Sequence, residues 1–122
     1  MKYLLMIYSS EAEWARPEND PIKPGVIAGH DALQGELRAS GMDWLGARLA
    51  DTPTARTIAD TPEGRVVHDG PFAETKEQLA GLYLIEAPDM AAAETWAQKI
   101  PLIPGGKVEV RAVVFQPHLE EP

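Results

Sequence analysis

The chain has 122 residues, of which 44% are hydrophobic and 25% are charged, so it fits one globular domain with a core of its own. The 19 acidic residues outnumber the 11 basic ones and give a net charge of −8, which disfavours nucleic acid and anionic membranes as partners. The chain contains no cysteine, which excludes disulfides, thiolate metal sites and cysteine nucleophiles.

The first predicted element is a strand over residues 2–8, because this short apolar run is rich in aromatic residues and is bounded by polar ones. Two serines and Glu11 follow at once, without the cleavage pattern of a secretory signal, and no apolar stretch approaches the length of a membrane helix. We therefore expect a cytoplasmic protein. The proline-rich segment from residue 11 to 24 predicts a loop, with one short turn around Trp14.

A helix is predicted over residues 26–40, and Gly41 follows at its C-terminal cap. Its inward stripe is marked by residues that recur at steps of three and four, namely Val26, His30, Leu33 and Leu37. His30 is the only polar member of that stripe. The helix is therefore expected to turn a histidine towards the interior.

The middle of the chain predicts short strands and a hairpin. Strands are expected at residues 43–49 and 54–59, a turn carrying Pro and Gly at 60–64, and a returning arm at 65–68. The tripeptide Asp69-Gly70-Pro71 then breaks the pattern.

The C-terminal part predicts a buried strand, a helix and a further strand. The apolar run 79–87 is the strand, and Asp89 is a helix N-cap. The helix is expected over residues 90–99, with its inward face formed by Ala93, Trp96, Ala97 and Ile100. After a loop at 101–106, the alternating segment 107–115 predicts a strand with one buried face, and the polar tail 116–122 is expected to be loose.

This order of elements is the split βαβ pattern, so we predict an α+β, ferredoxin-like βαββαβ domain with an added β-hairpin. Such a sheet carries helices on one face only. The other face needs a cover, and a second copy of the chain is the simplest one, which predicts a homodimer.

Residues 67–79, which read VHDGPFAETKEQL, resemble the signature of the DGPF proteins, a branch of the YCII-related family. The opening residues 1–8, the strand residues 81–86 and the segment 108–111 are also similar to that family. The resemblance therefore covers nearly all of the chain and implies one YCII-related/DGPF domain over residues 1–122, in a dimeric α/β-barrel-type assembly.

The resemblance implies two alternative functions. Some YCII-related proteins act on chlorinated hydroquinones through a His–Asp pair, which suggests a small-molecule enzyme of lyase or dehydrochlorinase type. Other DGPF proteins are linked to alternative sigma factors, which suggests a ligand-binding or regulatory module without catalysis. Neither alternative names the substrate or ligand.

His30 and Asp69 are the candidate catalytic pair. A histidine has an unperturbed pKa near ~6.5 and suits a general base, although a packed histidine satisfied by a carbonyl is the alternative. Asp69 would orient the imidazole and stabilise its charged form, or would serve only as a turn residue before Gly70. His68 is a rival base, but strand alternation turns its side chain away from Asp69.

The DGPF segment also supplies candidate substrate-binding residues, namely Phe72, Glu74 and Lys76. The alternatives are that Phe72 anchors the loop in the core and that the charged residues form a solvated turn. Glu86 falls on a strand predicted to be buried and is expected to pair with Arg111 or Lys76. The three histidines stand too far apart for metal-ligand spacing, and His118 lies in the tail, so neither a metal nor another cofactor is expected.

Overall fold

A computed structural model describes residues 1–114, and within them the chain forms a four-stranded sheet, a two-stranded sheet and three α-helices. The strands are β1 (Lys2–Ser9), β2 (Leu45–Arg48), β3 (Arg56–Thr61), β4 (Gly64–Asp69), β5 (Gln78–Glu86) and β6 (Lys107–Ala112). The helices are α1 (Glu11–Ala15), α2 (Lys23–Ser40) and α3 (Met90–Ala97), with short 3₁₀ segments at Pro17–Ile22 and Thr52–Thr54. The predicted α+β class is confirmed.

The main sheet has the strand order β2-β5-β1-β6, and every neighbouring pair is antiparallel. Its central strands β1 and β5 alternate between buried and partly exposed residues, which is the pattern of a sheet with one covered face. On the covered face, Leu5 and Ile85 pack against Leu33 and Leu37 of α2. The sheet is open at β2 and β6, so the described chain does not close into a barrel.

The inward stripe of α2 is confirmed, because Leu33 and Leu37 are buried and His30 is half-buried. Gly41 ends the helix with a φ of 76°, a left-handed conformation that glycine adopts without steric cost. The helix begins at Lys23, three residues earlier than predicted, since Pro24 lies in the first turn and proline is tolerated there.

The segment predicted as a loop before α2 is largely helical, which corrects the sequence interpretation. The Ser10 side chain accepts a hydrogen bond from the Glu13 backbone N–H at 3.0 Å and so caps α1. Asn19 is buried in the following 3₁₀ segment, where its side-chain amide donates to the Glu13 carbonyl at 2.7 Å. Local capping therefore orders a segment whose prolines suggested irregular structure.

The C-terminal elements follow the prediction with shorter bounds. The Asp89 carboxylate accepts from the Ala92 N–H at 2.9 Å, which confirms the N-cap of α3, and the predicted inward residues Ala93, Ala97 and Ile100 are buried. The last strand ends at Ala112, and Val114 is 89% exposed instead of buried. Phe115 and the tail with His118 lie outside the described residues.

Glu86 differs from its prediction. Its side chain is 44% exposed and pairs with the N-terminal amine of Met1 and with Lys2 at 3.1 Å, not with Arg111 or Lys76. The hydrogen bond from the N-terminal amine is the main cause that lowers the pKa of Glu86. The reason is register, because Lys2 lies directly opposite Glu86 on the neighbouring strand.

The face of the main sheet opposite the helices remains partly exposed. It presents apolar side chains that include Leu4, Met6 and Leu84, and Leu45 at its edge is 47% exposed. That a second copy covers this face stays a prediction. None of the helices within residues 1–114 combines the length and apolar composition needed to cross a bilayer.

Candidate functional site

A cavity of about 350 Å³ opens between the N-terminal half of α2, the strands β2 and β5 and the neighbouring loops. Much of its wall is aliphatic, including Ile27, Leu49 and Leu102, while His30 and Tyr83 bring polar atoms to it. This volume lies at the lower end of the range for small-molecule sites, and such sites combine apolar walls with a few converging polar groups. The cavity can therefore accept a compact organic ligand.

The central polar feature of the cavity is a hydrogen-bonded triad of His30, Tyr83 and Gln34. His30 Nδ1 lies 2.8 Å from the Tyr83 hydroxyl oxygen, and Gln34 Nε2 donates to the same oxygen at 3.2 Å. The imidazole and phenol rings also stack, with centroids 5.9 Å apart and an interplanar angle of 20°. Tyr83 is only 4% exposed, so water competes little for its hydroxyl.

Local structure explains how the triad assembles. His30 and Gln34 are four residues apart in α2 and therefore lie on the same face of the helix. Tyr83 belongs to the buried set of β5, which faces the helices. On the adjacent strand Gly46 lies directly opposite Tyr83, and a Cβ built on it would lie 2.9 Å from two carbons of the Tyr83 ring. The absence of a side chain at Gly46 thus makes room for the phenol ring.

The hydrogen bonds favour one neutral tautomer of His30. Because the Tyr83 oxygen accepts from Gln34, the hydroxyl proton is free to be donated to His30 Nδ1. The neutral ring then carries its own proton on Nε2, which makes no hydrogen bond to other protein groups within residues 1–114. Rotation of the hydroxyl would let Nδ1–H donate instead, and Nε2 would become an acceptor. In this second tautomer Nε2 can act as a base, whereas in the first one it can only donate a hydrogen bond.

Burial lowers the pKa of His30 below its ordinary value of 6.5, since the half-buried ring is poorly solvated when charged. The nearby carboxylate of Asp31 opposes this shift, and the guanidinium of Arg48 adds to it. The imidazole is consequently neutral at neutral pH, which is the state in which Nε2 can accept a proton, and the imidazolium formed in that step can then donate it.

This lowered pKa predicts a pH dependence of stability. At a pH between the folded pKa and the unfolded value of about 6.5, His30 binds more protons in the unfolded chain than in the folded one. The contribution of His30 to the free energy of unfolding is therefore complete above about pH 6.5 and is lost as the pH falls through the folded pKa. We expect His30→Gln to reduce the loss of unfolding free energy between about pH 7.5 and 5.5. Urea titrations at each pH measure this loss, and His68→Gln on the exposed strand β4 is the control. Equal losses in wild type and His30→Gln would contradict the prediction.

Charged side chains of both signs surround the cavity. Arg48, Asp31 and Asp51 all line it and are exposed at its rim. The Arg48 guanidinium makes no hydrogen bond or ion pair with any group in the described part of the chain, residues 1–114. Arg48 is thus available to a ligand acceptor, whereas the two carboxylates limit the total negative charge that a ligand can bring.

One side of the cavity is held by a bidentate contact between Glu11 and Thr52. One carboxylate oxygen of Glu11 accepts from the Thr52 backbone N–H and the other from its hydroxyl, both at 2.7 Å. Glu11 itself lines the cavity, as does Asp51 beside Thr52. The contact therefore connects α1 to the loop that follows β2 by two hydrogen bonds.

Glu11→Gln is expected to loosen this loop. The carboxamide keeps only one acceptor oxygen, so at least one hydrogen bond to a charged acceptor is lost, which costs about 1–3 kcal/mol. Amide hydrogen exchange should show faster exchange at Thr52. Glu18→Gln, at an exposed residue whose one ion pair among residues 1–114 is with Arg16, is the matched control and should change stability by less than about 0.5 kcal/mol. Unchanged protection of Thr52 in Glu11→Gln would contradict the role of the contact.

The structure does not bring Asp69 to His30 within one chain. The Asp69 carboxylate pairs with Arg56 on the neighbouring strand, with Nε to Oδ1 at 2.9 Å, and is 86% exposed. Asp69 does not line the cavity, whereas His30 does. The immediate partner of the imidazole is Tyr83, and a His30–Asp69 pair stays a prediction.

The other candidate residues of the DGPF segment, namely Phe72, Glu74 and Lys76, also lie outside the cavity wall. Phe72 is 86% exposed and therefore does not anchor the loop in the core. Glu74 and Lys76 are exposed, and the rival base His68 is exposed on β4. A contact of Phe72, Glu74 or Lys76 with substrate stays a prediction. Within residues 1–114, no group of three or more His, Asp or Glu side chains is placed to hold a metal ion.

Sequence reasoning missed Tyr83, Gln34 and Arg48. Gln34 carried a signal, because it follows His30 by one helical turn. Tyr83 carried a weaker one, as a polar tip within a strand predicted to be buried. Nothing in the sequence pointed to Arg48, whose position depends on the pairing of β2 with β5.

Comparison with known proteins shows the family of this chain. A family model described as YCII-related domain matches residues 1–116. An uncharacterized protein of Rhizobium meliloti (strain 1021) is 32% identical over 103 residues, which cover 82% of this chain and 80% of that protein. The family-model match spans both the candidate site and the fold around it. The chain belongs to the YCII-related family.

Proposed function

We propose that this protein is a small-molecule enzyme that uses His30 for proton transfer, in a reaction of lyase type. The observation that carries the proposal is the 2.8 Å contact between His30 Nδ1 and the buried Tyr83 hydroxyl in the wall of a ligand-sized cavity. A positioned histidine with a neutral ring can take a proton from a carbon or oxygen acid, and the imidazolium so formed can return that proton to the leaving group.

In the proposed mechanism each polar residue has its own task. Tyr83 holds the imidazole through Nδ1 and switches between donating and accepting, which leaves Nε2 to exchange a proton with the substrate. Gln34 fixes the phenol oxygen. Arg48 stabilises negative charge that develops on the substrate when its proton leaves, as cations do in many active sites.

Non-catalytic binding of a ligand in the same cavity is the second candidate function. It is favoured by the position of Asp69, since the imidazole has no hydrogen-bonded carboxylate partner among residues 1–114. In this alternative Nε2–H donates a hydrogen bond to a ligand acceptor and no bond is broken. A link to sigma-factor signalling is a proposal that rests on the resemblance to DGPF proteins alone.

The strand order and the uncovered sheet face also support two architectural proposals. With the β3–β4 hairpin set aside, the first and third remaining strands lie in the centre of the main sheet, as in ferredoxin-like domains. The apolar face opposite the helices favours a homodimer.

A thermal-shift screen of small phenols, carboxylic acids and carbonyl compounds tests the function. Compounds that bind the wild type should bind His30→Gln more weakly or not at all, and should bind His68→Gln as they bind the wild type. Incubation of each hit, with product detection by mass spectrometry, then separates turnover from binding. Hits that bind His30→Gln as well as wild type would contradict the proposed site.

Asp69→Asn tests the predicted pair with His30. If Tyr83 is the working partner of His30, we expect this variant to keep ligand binding and turnover within about twofold, and stability within about 0.5 kcal/mol, because the exposed pair with Arg56 contributes little. Steady-state kinetics with a screened substrate measure the effect. A large loss of turnover in a stable Asp69→Asn variant would support the His–Asp pair and count against Tyr83 as the sole partner.

A further inference from the structure

The β3–β4 hairpin stands apart from the main sheet and forms a two-stranded sheet of its own. All six residues of β4 are exposed, including Val67 at 57%, and Ile58 on β3 is 66% exposed. An isolated two-stranded hairpin is marginally stable in water. Apolar side chains at the centre of such an arm therefore indicate a surface that another molecule covers.

One face of this hairpin has a regular charge pattern. Directly opposite residues share a face, and three such pairs lie on this one: Arg56 with Asp69, Ile58 with Val67, and Asp60 with Arg65. The two outer pairs are ion pairs, at 2.9 Å and 3.1 Å. The face thus has an apolar centre and four charged corners, and we call it the hairpin face.

We propose that the hairpin face packs against the same face of a second copy of this chain. Along each strand the order is basic, apolar, acidic, so that neighbouring corners always carry opposite charge. This inference concerns assembly and does not depend on the catalytic proposal. The hairpin face is a different surface from the uncovered face of the main sheet.

The corner pattern is self-complementary. If the second copy is turned about an axis along the strands, Arg56 lies over the partner's Asp69 and Asp60 over the partner's Arg65. If it is turned about an axis across the strands, Arg56 lies over the partner's Asp60. Every corner meets its opposite charge in both arrangements, as a two-fold interface requires. The apolar pair meets its own copy in the centre.

A charge-swapped variant tests this without breaking the ion pairs inside the hairpin. It carries Arg56→Asp, Asp60→Arg, Arg65→Asp and Asp69→Arg, so that each pair is kept but every corner changes sign. The variant should dimerise with itself as wild type does. In a mixed dimer of one variant chain and one wild-type chain, every corner meets a like charge. We therefore expect the fraction of mixed dimers to be at least about tenfold below the fraction that random pairing would give.

Native mass spectrometry of a mixed and equilibrated sample measures that fraction, with a mass tag on one partner. The matched control swaps another surface pair, Glu36→Lys with Lys99→Glu, whose atoms lie 2.7 Å apart on the helix side. Its mixed dimers should reach the statistical share of about half. Statistical mixing of the hairpin variant as well, which dimerisation through the main sheet alone would give, overturns the proposal. So does a wild type that is monomeric at micromolar concentration.

A second variant covers the case in which the charge-swapped chain does not fold. Ile58→Lys changes a single residue that is 66% exposed, so the monomer should tolerate it. In either arrangement each copy would then place a lysine in the apolar centre of the dimer, and we expect self-association at least about tenfold weaker in analytical ultracentrifugation. Unchanged self-association would overturn the proposal.

Discussion

Replacing His30 by glutamine is expected to lower turnover of a screened substrate by about 10²- to 10⁴-fold, the usual contribution of a positioned general acid or base. Glutamine can still contact Tyr83 and fill part of the space, but its amide exchanges no proton near neutral pH. Steady-state kinetics of the purified variant measure the loss. The fold should persist, because the ring is only half-buried and the neighbouring core residues Leu33 and Leu37 are unchanged.

His68→Gln is the matched control for this variant. It makes the same chemical change at an exposed residue on β4 that does not line the cavity. Turnover of His68→Gln should therefore equal that of wild type within about twofold. If the two variants lost activity equally, or if His30→Gln remained active, His30 would not be the proton-transfer residue.

Gly46→Ala is expected to destabilise the protein and to impair the site, although alanine normally suits a strand better than glycine. Removing a strand glycine gains about 0.5–1 kcal/mol, but the new Cβ would lie 2.9 Å from the buried Tyr83 ring, and overpacking of this kind costs about 1–3 kcal/mol. We expect a net loss of about 1–2 kcal/mol. The ring must shift, and its hydroxyl then leaves the 2.8 Å contact with His30.

Gly35→Ala is the control for Gly46→Ala. Gly35 lies inside α2, and a Cβ built on it meets nothing within 4 Å. This variant should gain about 0.5–1 kcal/mol from helix propensity and keep full activity. Urea denaturation and kinetics of both variants give the comparison. A Gly46→Ala variant as stable and as active as Gly35→Ala would show that Tyr83 does not need this space.

Local sequence patterns predicted most elements of the fold. The spacing of His30, Leu33 and Leu37 was enough to define the inward face of α2, because helical periodicity acts within a few residues. The Asp89 cap and the hairpin also depend on neighbouring residues. The helical segment before α2 was missed, since its order comes from Asn19 contacting Glu13, which a count of prolines does not reveal.

The candidate site was harder to predict because it depends on contacts between distant residues. His30 meets Tyr83 across 53 positions of the chain, and that contact requires the register of β5 against β2 and β1. Asp69 was chosen as the partner of His30 from its motif, but the hairpin register places it opposite Arg56. Glu86 was misassigned because its partner Lys2 is set by the pairing of β1 with β5.

Nitrogen-15 NMR of the His30 ring is the most direct test of the proposed site, with His30→Gln used to assign its signals among those of the three histidines. We expect a neutral ring at pH 7 with its proton on Nε2, a pKa below 6.5, and a shift of the Nε2 signal when a screened ligand binds. A ring that titrates at or above 6.5, or whose Nε2 signal stays unchanged on saturation with ligand, would contradict the role of His30 in the cavity.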